Sequence, residues 1–464
     1  MFFAALRMFF DNFGAVIFVP VIIFIVALSL KVAPKKAFMS ALSAGVGLQG
    51  FFLVIGAYGP IVTPIVERMI NETGVNLPIT DLGWQVVSVI AYSTEIGMIF
   101  IGVAILLQII LFFSKYTNVF QAGDLWNNYS YMAWGSCLFV LTNNLWLSLC
   151  FMAFLLLVTL LTTEIVQKRW STYYQYPACS IASLHTTTIT VIALPINWIL
   201  DKFGLYKVKS DPETIRRRLG FIGEPMTLGL FLGLVISIVG NFSRINTLAA
   251  WGEIAGCAIA TAAVMAVFPK ISGIFAGSFG AITEASKKSI KGFKGEWYLA
   301  VNDATGYGEP ATLITGILLM PTTLGLAFIL PGNQTFPMLD LLAIPYIIQP
   351  IIAMSNGNII KSFISGVIYM AILLYSCTMT GPIFTEVAAS RGVELGGAVM
   401  ITSFAILGHP IPAIFFMIFR TLNPLFISAS ILVYAVSYAL VRKNKVKIHE
   451  WIELAAAKSA GEEA

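Results

Sequence analysis

The side chains most able to do chemistry in this sequence are ionisable and amide groups that interrupt long apolar runs. Glu309 stands between Gly308 and Pro310, and His185 is followed by three threonines. Carboxylate, imidazole, amide and hydroxyl groups supply many hydrogen-bond donors and acceptors, whereas an anionic ligand would call for more arginine. The chemistry favoured is the binding of a neutral, hydroxyl-rich molecule. The candidate binding residues are Glu309, His185, Glu95, Asn144, Asn358, Asn356, Gly308, Thr312 and His409.

The rest of the chain indicates that these groups lie in a membrane. Of the 464 residues, 58% are hydrophobic and 11% are charged, and the mean hydropathy is +0.85. Soluble domains carry about a quarter charged residues. The net charge of +5 falls in short clusters between apolar runs, which is typical of topology signals and not of nucleic-acid binding. We predict an all-α polytopic protein whose solvent is the lipid bilayer.

An ionisable side chain at membrane depth costs at least ~2.5–3.5 kcal/mol, so it usually faces a cavity. Glycine and proline around Glu309 favour a broken helix, whose free backbone groups suit a binding site. Structural alternatives stay open. Glu309 would also stabilise a helix N-terminus, His185 would also fit a core histidine bonded to a carbonyl, and the asparagines would also cap half-helices.

Internal similarity predicts two homologous halves. At an offset of 214, the stretch Tyr92–Gly102 falls on Gly306–Gly316, so that Glu95 meets Glu309. At the same offset Thr142–Asn144 falls on Asn356–Asn358, and a slightly larger shift brings His185 to His409. The predicted units are residues 1–215, then 216–440 with the last helix, then a cytoplasmic tail at 441–464.

Charge predicts that the two halves are inverted. The turn Lys31–Lys36 is basic and the next loop, around Asp81, is acidic, whereas the counterpart of that acidic loop at Lys287–Lys294 is basic. By the positive-inside rule the halves then sit upside down in the bilayer, with the substrate site where they meet. About 11 transmembrane helices follow, with re-entrant or broken segments. Lys168–Arg169 disagrees with this count, and a re-entrant segment near Asn143–Asn144 would reconcile it.

No nucleotide, metal or Walker signature is present. We therefore predict no cofactor, no metal and no catalytic residue. A transport subunit energised by other proteins and an ion-coupled symporter for a small polar solute, with Glu309 or Glu95 carrying the proton, both stay open. A membrane sensor is disfavoured because no soluble signalling domain is present.

Several short motifs carry a family resemblance over nearly the whole chain. They are Gly83–Trp84, Ala91–Ser93, Asp124–Asn127, Gly223–Pro225, Gly308–Pro310 and Ser355–Asn358. Together they resemble the membrane (IIC) component of the galactitol family of the bacterial phosphoenolpyruvate-dependent sugar phosphotransferase system. Glu95 departs from that family, where the position is usually uncharged.

The resemblance implies a homodimer in the bacterial cytoplasmic (inner) membrane, with the fold shared by ascorbate IIC transporters. A core domain would carry the polyol or sugar by an elevator motion, and helices near the start of each half would form the dimer. A phosphocysteine of a separate IIB protein, supplied by IIA, would phosphorylate the substrate, and no residue of this chain would be phosphorylated. We expect Glu309 and His185 to bind hydroxyls, with Asn144, Asn358 and Glu95 nearby, and Glu309 to assist phosphoryl transfer.

Overall fold

The chain is mostly helical. The computed structural model describes residues 31–73, 77–121, 125–208, 225–278, 296–391 and 398–460, together with 16–17, 20–21, 23–25, 27–28, 210, 212 and 281. Six of the described helices are long and apolar enough to cross a membrane. They are Glu95–Phe113, Leu145–Tyr173, Leu248–Val267, Pro310–Ile329, Ile359–Ser390 and Pro424–Ser459. The protein is therefore a multi-pass membrane protein, as the composition predicts, and the total of 11 crossings stays a prediction.

Long helices alternate with short ones of four to six residues. In chain order the α-helices are α1 (Pro34–Thr73), α2 (Trp84–Ser93), α3 (Glu95–Phe113), α4 (Leu125–Thr142), α5 (Leu145–Tyr173), α6 (Leu184–Thr187), α7 (Thr190–Lys202), α8 (Pro225–Gly240), α9 (Leu248–Gly277), α10 (Ala304–Tyr307), α11 (Pro310–Ile329), α12 (Ile344–Ile347), α13 (Gln349–Met354), α14 (Ile359–Ser390), α15 (Phe404–Leu407), α16 (Pro410–Arg420) and α17 (Pro424–Ala460). Of these short helices, α10 overlaps the predicted interruption around Gly308–Pro310, whereas α6, α12, α13 and α15 break runs that the sequence predicts as continuous.

Two small parallel sheets add to the predicted all-helical architecture. The strands are β1 (Ile79–Asp81), β2 (Val119–Phe120), β3 (Cys179–Ile181), β4 (Tyr298–Val301), β5 (Thr335–Phe336) and β6 (Met400–Thr402). One sheet has the order β5-β1-β6 and the other β2-β4-β3. Ile79 pairs with Thr335 and Met400, and Leu299 pairs with Phe120 and Cys179. The middle strand of each sheet comes from the opposite half of the chain to its neighbours.

These sheets determine where the short helices begin. The carboxyl ends of parallel strands lie at one edge of a sheet, and α6 and α10 start directly beyond β3 and β4. Side chains that are far apart in sequence therefore meet at this edge.

A separate bundle forms from α1, α8 and α9, which pack on one another. Tyr58 of α1 bonds to Thr261 of α9 at 2.9 Å. Arg68 of α1 pairs with Glu253 of α9 and donates to Asn241 at 3.2 Å. Helices from the first part of both predicted halves thus form one unit, and the remaining helices surround the two sheets.

The break at Asn143–Asn144 separates two helices, where the sequence predicts one interrupted segment. Asn143 adopts a left-handed conformation with φ 49°, and α4 and α5 then pack on each other. The chain turns back here because a residue in that conformation ends α4 and the Asn144 side chain caps α5.

Basic side chains gather where α5 and α17 end. Arg169 of α5 pairs with Glu453 of α17 at 2.7 Å, and Lys445 pairs with Glu164 at 2.7 Å. Arg169 and the basic residues of α17 therefore lie close together, and the cytoplasmic location of the tail stays a prediction. The loop Lys287–Lys294, Glu224 and Asp124 lie outside the described residues, and the inversion of the halves stays a prediction.

Candidate functional site

A buried chain of three polar side chains lies at the carboxyl edge of the β2-β4-β3 sheet. His185, in the first turn of α6, places Nε2 2.7 Å from Oδ2 of Asp303, which directly precedes α10. The other ring nitrogen, Nδ1, lies 2.7 Å from the hydroxyl of Ser130 on α4. His185 is 4% exposed and Asp303 is 1% exposed. We name this group the His185–Asp303 site.

The His185–Asp303 site keeps unused hydrogen-bonding capacity. Oδ2 of Asp303 also accepts from the Thr186 hydroxyl at 3.2 Å. Oδ1 of Asp303 and the hydroxyl of Thr305 are buried and have no partner among the residues that the structure describes. A buried polar atom without a partner costs roughly 1–3 kcal/mol. These two atoms therefore offer an acceptor and a hydroxyl to a hydroxyl-rich ligand.

Gln349 holds the backbone of this site in place. Its side-chain amide donates to the carbonyl oxygen of Asp303, and its Oε1 accepts from Trp170 Nε1 at 3.1 Å. Trp170 stacks on Tyr174 with 4.8 Å between ring centroids. A Cβ on Gly306 would lie 2.3 Å from Oε1 of Gln349, so only glycine fits in this turn of α10.

Glu309 caps the helix that follows. Its carboxylate accepts from the backbone N–H groups of Ala311 at 3.0 Å and Thr312 at 2.8 Å, and from the Thr312 hydroxyl at 2.8 Å. The hydroxyl of Tyr173 also donates to Oε1 at 2.8 Å. Gly308 ends α10 just before it. Both oxygens of Glu309 thus stabilise the N-terminus of α11, which is the structural role that the sequence left open for this residue.

We expect Glu309→Gln to destabilise the protein more than it weakens substrate binding. An amide nitrogen at either oxygen position would face N–H or O–H donors that now meet an acceptor. Replacing one charged acceptor should lower the free energy of unfolding by about 1–3 kcal/mol. The unfolding temperature of the detergent-solubilised protein should then fall by several degrees. Thermal unfolding and equilibrium binding of a radiolabelled polyol measure the two effects. A large loss of affinity at unchanged stability would show instead that Glu309 binds the ligand directly.

The second predicted break, at Asn356–Asn358, meets Glu309 across Tyr173. Asn358 caps α14 by accepting from Lys361 N at 3.0 Å. Asn356 has φ 51° and accepts from Arg169. A Cβ on Gly357, which has φ 71°, would lie 2.4 Å from the Tyr173 hydroxyl. The two breaks therefore both adjoin the Tyr173 hydroxyl, and a binding role for their residues stays a prediction.

His409 lies next to His185, with 6.3 Å between ring centroids. Its Nδ1 bonds to the Tyr369 hydroxyl at 2.8 Å and its Nε2 to the carbonyl oxygen of Ala405 at 2.7 Å. Both ring nitrogens are thus engaged within the protein. His409 fixes the start of α16 beside the His185–Asp303 site.

Two predicted residues lie elsewhere. Asn144 is exposed and caps α5 at the end opposite Tyr173, and a helix of 29 residues is about 40 Å long. Glu95 is exposed in the first turn of α3, where the cap is Thr94, accepting from Gly97 N at 3.2 Å. Thr94 and not Glu95 therefore has the role that Glu309 has in the other half.

The other sheet carries its own pair of buried carboxylates. Asp81, at the end of β1, accepts from the backbone N–H groups of Gly83, Met338, Asp340 and Phe404. Asp340 accepts from those of Trp84 and Ala405 and from the Ser403 hydroxyl. These contacts hold Trp84 where the Tyr129 hydroxyl donates to its carbonyl oxygen at 3.3 Å, one residue from Ser130. The pair thus fixes the start of α2, whose Trp84 contacts the residue before Ser130.

Sequence reasoning missed Asp303, Ser130 and Thr186. Asp303 lies three residues before the repeated stretch Gly306–Gly316 and two residues after β4, and a carboxylate between a strand and a glycine-rich turn was a usable signal. Among the described residues, no group of three His, Cys, Asp or Glu side chains is placed to hold a metal ion.

Comparison with known proteins places the chain in one group. The family described as PTS system sugar-specific permease component, EIIC-GAT, matches residues 8–398. The galactitol-specific EIIC component of the PTS system from Escherichia coli (strain K12) is 25% identical over 415 residues, covering 89% of this chain and 90% of that protein. Its namesake from Escherichia coli O157:H7 gives the same figures. Another Escherichia coli (strain K12) protein, named only as a permease IIC component, is 28% identical over 396 residues, 83% of this chain and 87% of that protein.

Proposed function

Because the chain belongs to the sugar-specific permease family (EIIC-GAT) of the phosphotransferase system, we propose that it carries a polyol such as galactitol across the bacterial cytoplasmic membrane and presents it to a separate IIB protein. The two relatives named for galactitol cover most of the chain, which supports a sugar alcohol as substrate. Membership of the family alone makes the chain a sugar permease subunit of this system.

The observation that carries the proposal is the Asp303 carboxylate, which binds His185 through Oδ2 while its Oδ1 is buried without a partner among the described residues. A polyol hydroxyl that donates to Oδ1 of Asp303 would satisfy this buried acceptor, and a second hydroxyl would pair with Thr305. A carboxylate held by an imidazole and a threonine hydroxyl keeps one orientation, so little rotamer entropy is lost on binding. Glu309, Gly308, Thr312, Asn356, Asn358 and His409 hold the surrounding helix breaks in this scheme.

Phosphorylation would use the same carboxylate. The hydroxyl oxygen of the bound polyol attacks the phosphorus of the IIB phosphocysteine, so an O–P bond forms and the S–P bond breaks. The cysteine leaves as a thiolate, and the hydroxyl proton passes to Oδ1 of Asp303. His185, bonded to Oδ2, stabilises the negative charge on Asp303 before the transfer.

We further propose that transport is an elevator motion of the helices around the two sheets against the α1–α8–α9 bundle. Two features support this. Each sheet takes its middle strand from the other half of the chain, which suits one rigid unit built from two inverted repeats. The bundle of α1, α8 and α9 also draws on both halves. In this scheme the bundle forms the homodimer contact.

The energy source separates this function from an ion-coupled symporter. In membrane vesicles supplied with phosphoenolpyruvate and the soluble phosphotransferase proteins, we expect galactitol to accumulate as its monophosphate. An uncoupler should leave the amount of product unchanged, since no proton gradient is used. Uptake of unmodified polyol that the uncoupler abolishes would instead establish the symporter. A panel of polyols and pentoses in the same assay identifies the substrate.

A further inference from the structure

Arg169 is a nearly buried cation at the cytoplasmic end of α5. It is 8% exposed, and its guanidinium has three acceptors. Nε donates to the carbonyl oxygen of Ala353 at 3.1 Å, and Nη2 to Oδ1 of Asn356 at 2.9 Å. Nη1 donates to Oε2 of Glu453 at 2.7 Å. The first acceptor belongs to α13, the second to the turn between α13 and α14, and the third to the terminal helix α17.

The bond to Glu453 is the most replaceable of the three. The Glu453 side chain is 28% exposed, against 9% for that of Arg169. Only one carboxylate oxygen is used, and the other, Oε1, is buried with no partner in the described part of the chain. An arginine–carboxylate pair is strongest when both oxygens are engaged. Glu453 therefore binds the Arg169 guanidinium through one carboxylate oxygen, and the stronger two-oxygen pair is not formed.

Glu453 also lies beyond residue 398, where the match to the family model ends. The last turns of α17 hold the cytoplasmic end through further polar contacts. Lys445 binds Glu164, and the Ser459 hydroxyl accepts from Lys361 at 3.1 Å. The terminal helix thus lies over the Asn356–Asn358 turn, where a soluble partner would approach.

Arg169 is connected to the His185–Asp303 site through its own helix. The Arg169 guanidinium lies 5.8 Å from the ring centroid of Tyr173, whose hydroxyl donates to Glu309. Trp170 bonds to Gln349, which holds the backbone of Asp303. A cation on this turn of α5 therefore adjoins both helix breaks on the side from which phosphorylation would occur.

On the basis of the proposed function, we propose that Arg169 binds a phosphoryl group on the cytoplasmic side, and that the Glu453 carboxylate occupies its position until the phosphoryl group arrives. A guanidinium pairs with phosphate through two parallel hydrogen bonds, and a dianion attracts it more strongly than a single carboxylate oxygen does. The phosphoryl group comes either with the phosphocysteine of IIB or with the polyol monophosphate product. Displacement of Glu453 would loosen the terminal helix from the Asn356–Asn358 turn.

The test compares Glu453→Gln, Arg169→Gln and Arg169→Lys with Glu450→Gln, a matched change at an exposed position of the same helix. Vesicles containing each variant are assayed for the KM of phosphorylated IIB and for inhibition by polyol monophosphate and inorganic phosphate. We expect Arg169→Gln to weaken at least one of these interactions about tenfold or more, as loss of a charge-assisted bond implies, and Arg169→Lys to weaken it less. Glu453→Gln should strengthen the same interaction about threefold, and Glu450→Gln should change none.

If only the KM for phosphorylated IIB changes, Arg169 binds the phosphoryl group of the IIB phosphocysteine. If only inhibition by polyol monophosphate changes, Arg169 binds the phosphoryl group of the product. Galactitol binding without any phosphodonor should stay at the wild-type affinity in Glu453→Gln and Glu450→Gln, since the bonds of His185 and Asp303 do not involve either glutamate. The proposal is overturned if Glu453→Gln matches the wild type in KM and both inhibition constants, and that comparison decides even if Arg169→Gln fails to fold. If wild-type vesicles form no phosphorylated polyol, the proposed function fails instead, and inhibition of polyol efflux by inorganic phosphate still tests Arg169.

Discussion

Asp303→Asn is expected to lower polyol affinity by about 100-fold or more and to abolish formation of the phosphorylated product. The asparagine keeps the shape of the side chain but replaces one carboxylate oxygen with an N–H donor. Whichever way the amide lies, either His185 or the polyol hydroxyl loses a charged acceptor in a buried position. Losing a charge-assisted bond and leaving a buried donor unpaired together cost about 3 kcal/mol, which is roughly 100-fold in affinity.

The measurement is equilibrium binding of radiolabelled galactitol to purified protein, followed by the vesicle phosphorylation assay. Glu386→Gln, the same type of change at an exposed position of α14, is the matched control and should bind normally. Thermal unfolding of both variants separates loss of the site from loss of the fold. Binding of Asp303→Asn within about threefold of the wild type would remove Asp303 from the substrate site.

Gly306→Ala should reduce transport by about tenfold or more and lower stability. Its Cβ would lie 2.3 Å from Oε1 of Gln349 and 3.0 Å from a ring carbon of Tyr174, both inside van der Waals contact. Gln349 would have to move, and its bonds to Asp303 and Trp170 would break or lengthen. Such overpacking lowers the free energy of unfolding by about 1–3 kcal/mol. It would displace Gln349, which holds the backbone of Asp303.

Gly325→Ala is the control for this change. Gly325 lies in α11, and no atom lies within 4 Å of a Cβ added there. Alanine is the better helix former by about 1 kcal/mol, so this variant should be as stable as the wild type or more so and should transport normally. The measurements are the uptake rates and unfolding temperatures of Gly306→Ala and Gly325→Ala. Equal uptake rates and equal unfolding temperatures for the two variants would show that Gln349 does not position the site.

The sequence predicted the helix breaks better than the contacts made across them. Glycine, proline and asparagine mark the turns at 306–310 and 356–358 because their backbone preferences are local. Asp303 and His185 meet because the strands that precede them, β4 and β3, pair, although the two residues are separated by 118 positions. Strands of two to four residues are too short to show alternation of polar and apolar residues. Their pairing, and the site it creates, therefore could not be inferred locally.

The comparison of the two halves by sequence was also limited by register. Matching identical residue types placed Glu95 on Glu309, but the shared requirement at these positions is a side chain that accepts hydrogen bonds at a helix start. Thr94 meets that requirement in the first half and Glu309 in the second. Asn144 and Asn358 show the same ambiguity, because both cap helices while only the turn of Asn358 adjoins Tyr173 and, through it, Glu309. A capping residue is recognisable from sequence, whereas its position along the membrane normal depends on the fold.

The most direct test is an experimental density map of the protein with galactitol bound in the absence of a phosphodonor. The account predicts polyol density with a hydroxyl about 2.6–3.2 Å from Oδ1 of Asp303, and a second hydroxyl near Thr305. His185 should keep its bonds to Asp303 and Ser130. Polyol density at the exposed end of α5 near Asn144, or anywhere else that leaves Oδ1 of Asp303 without a hydroxyl partner, would contradict it.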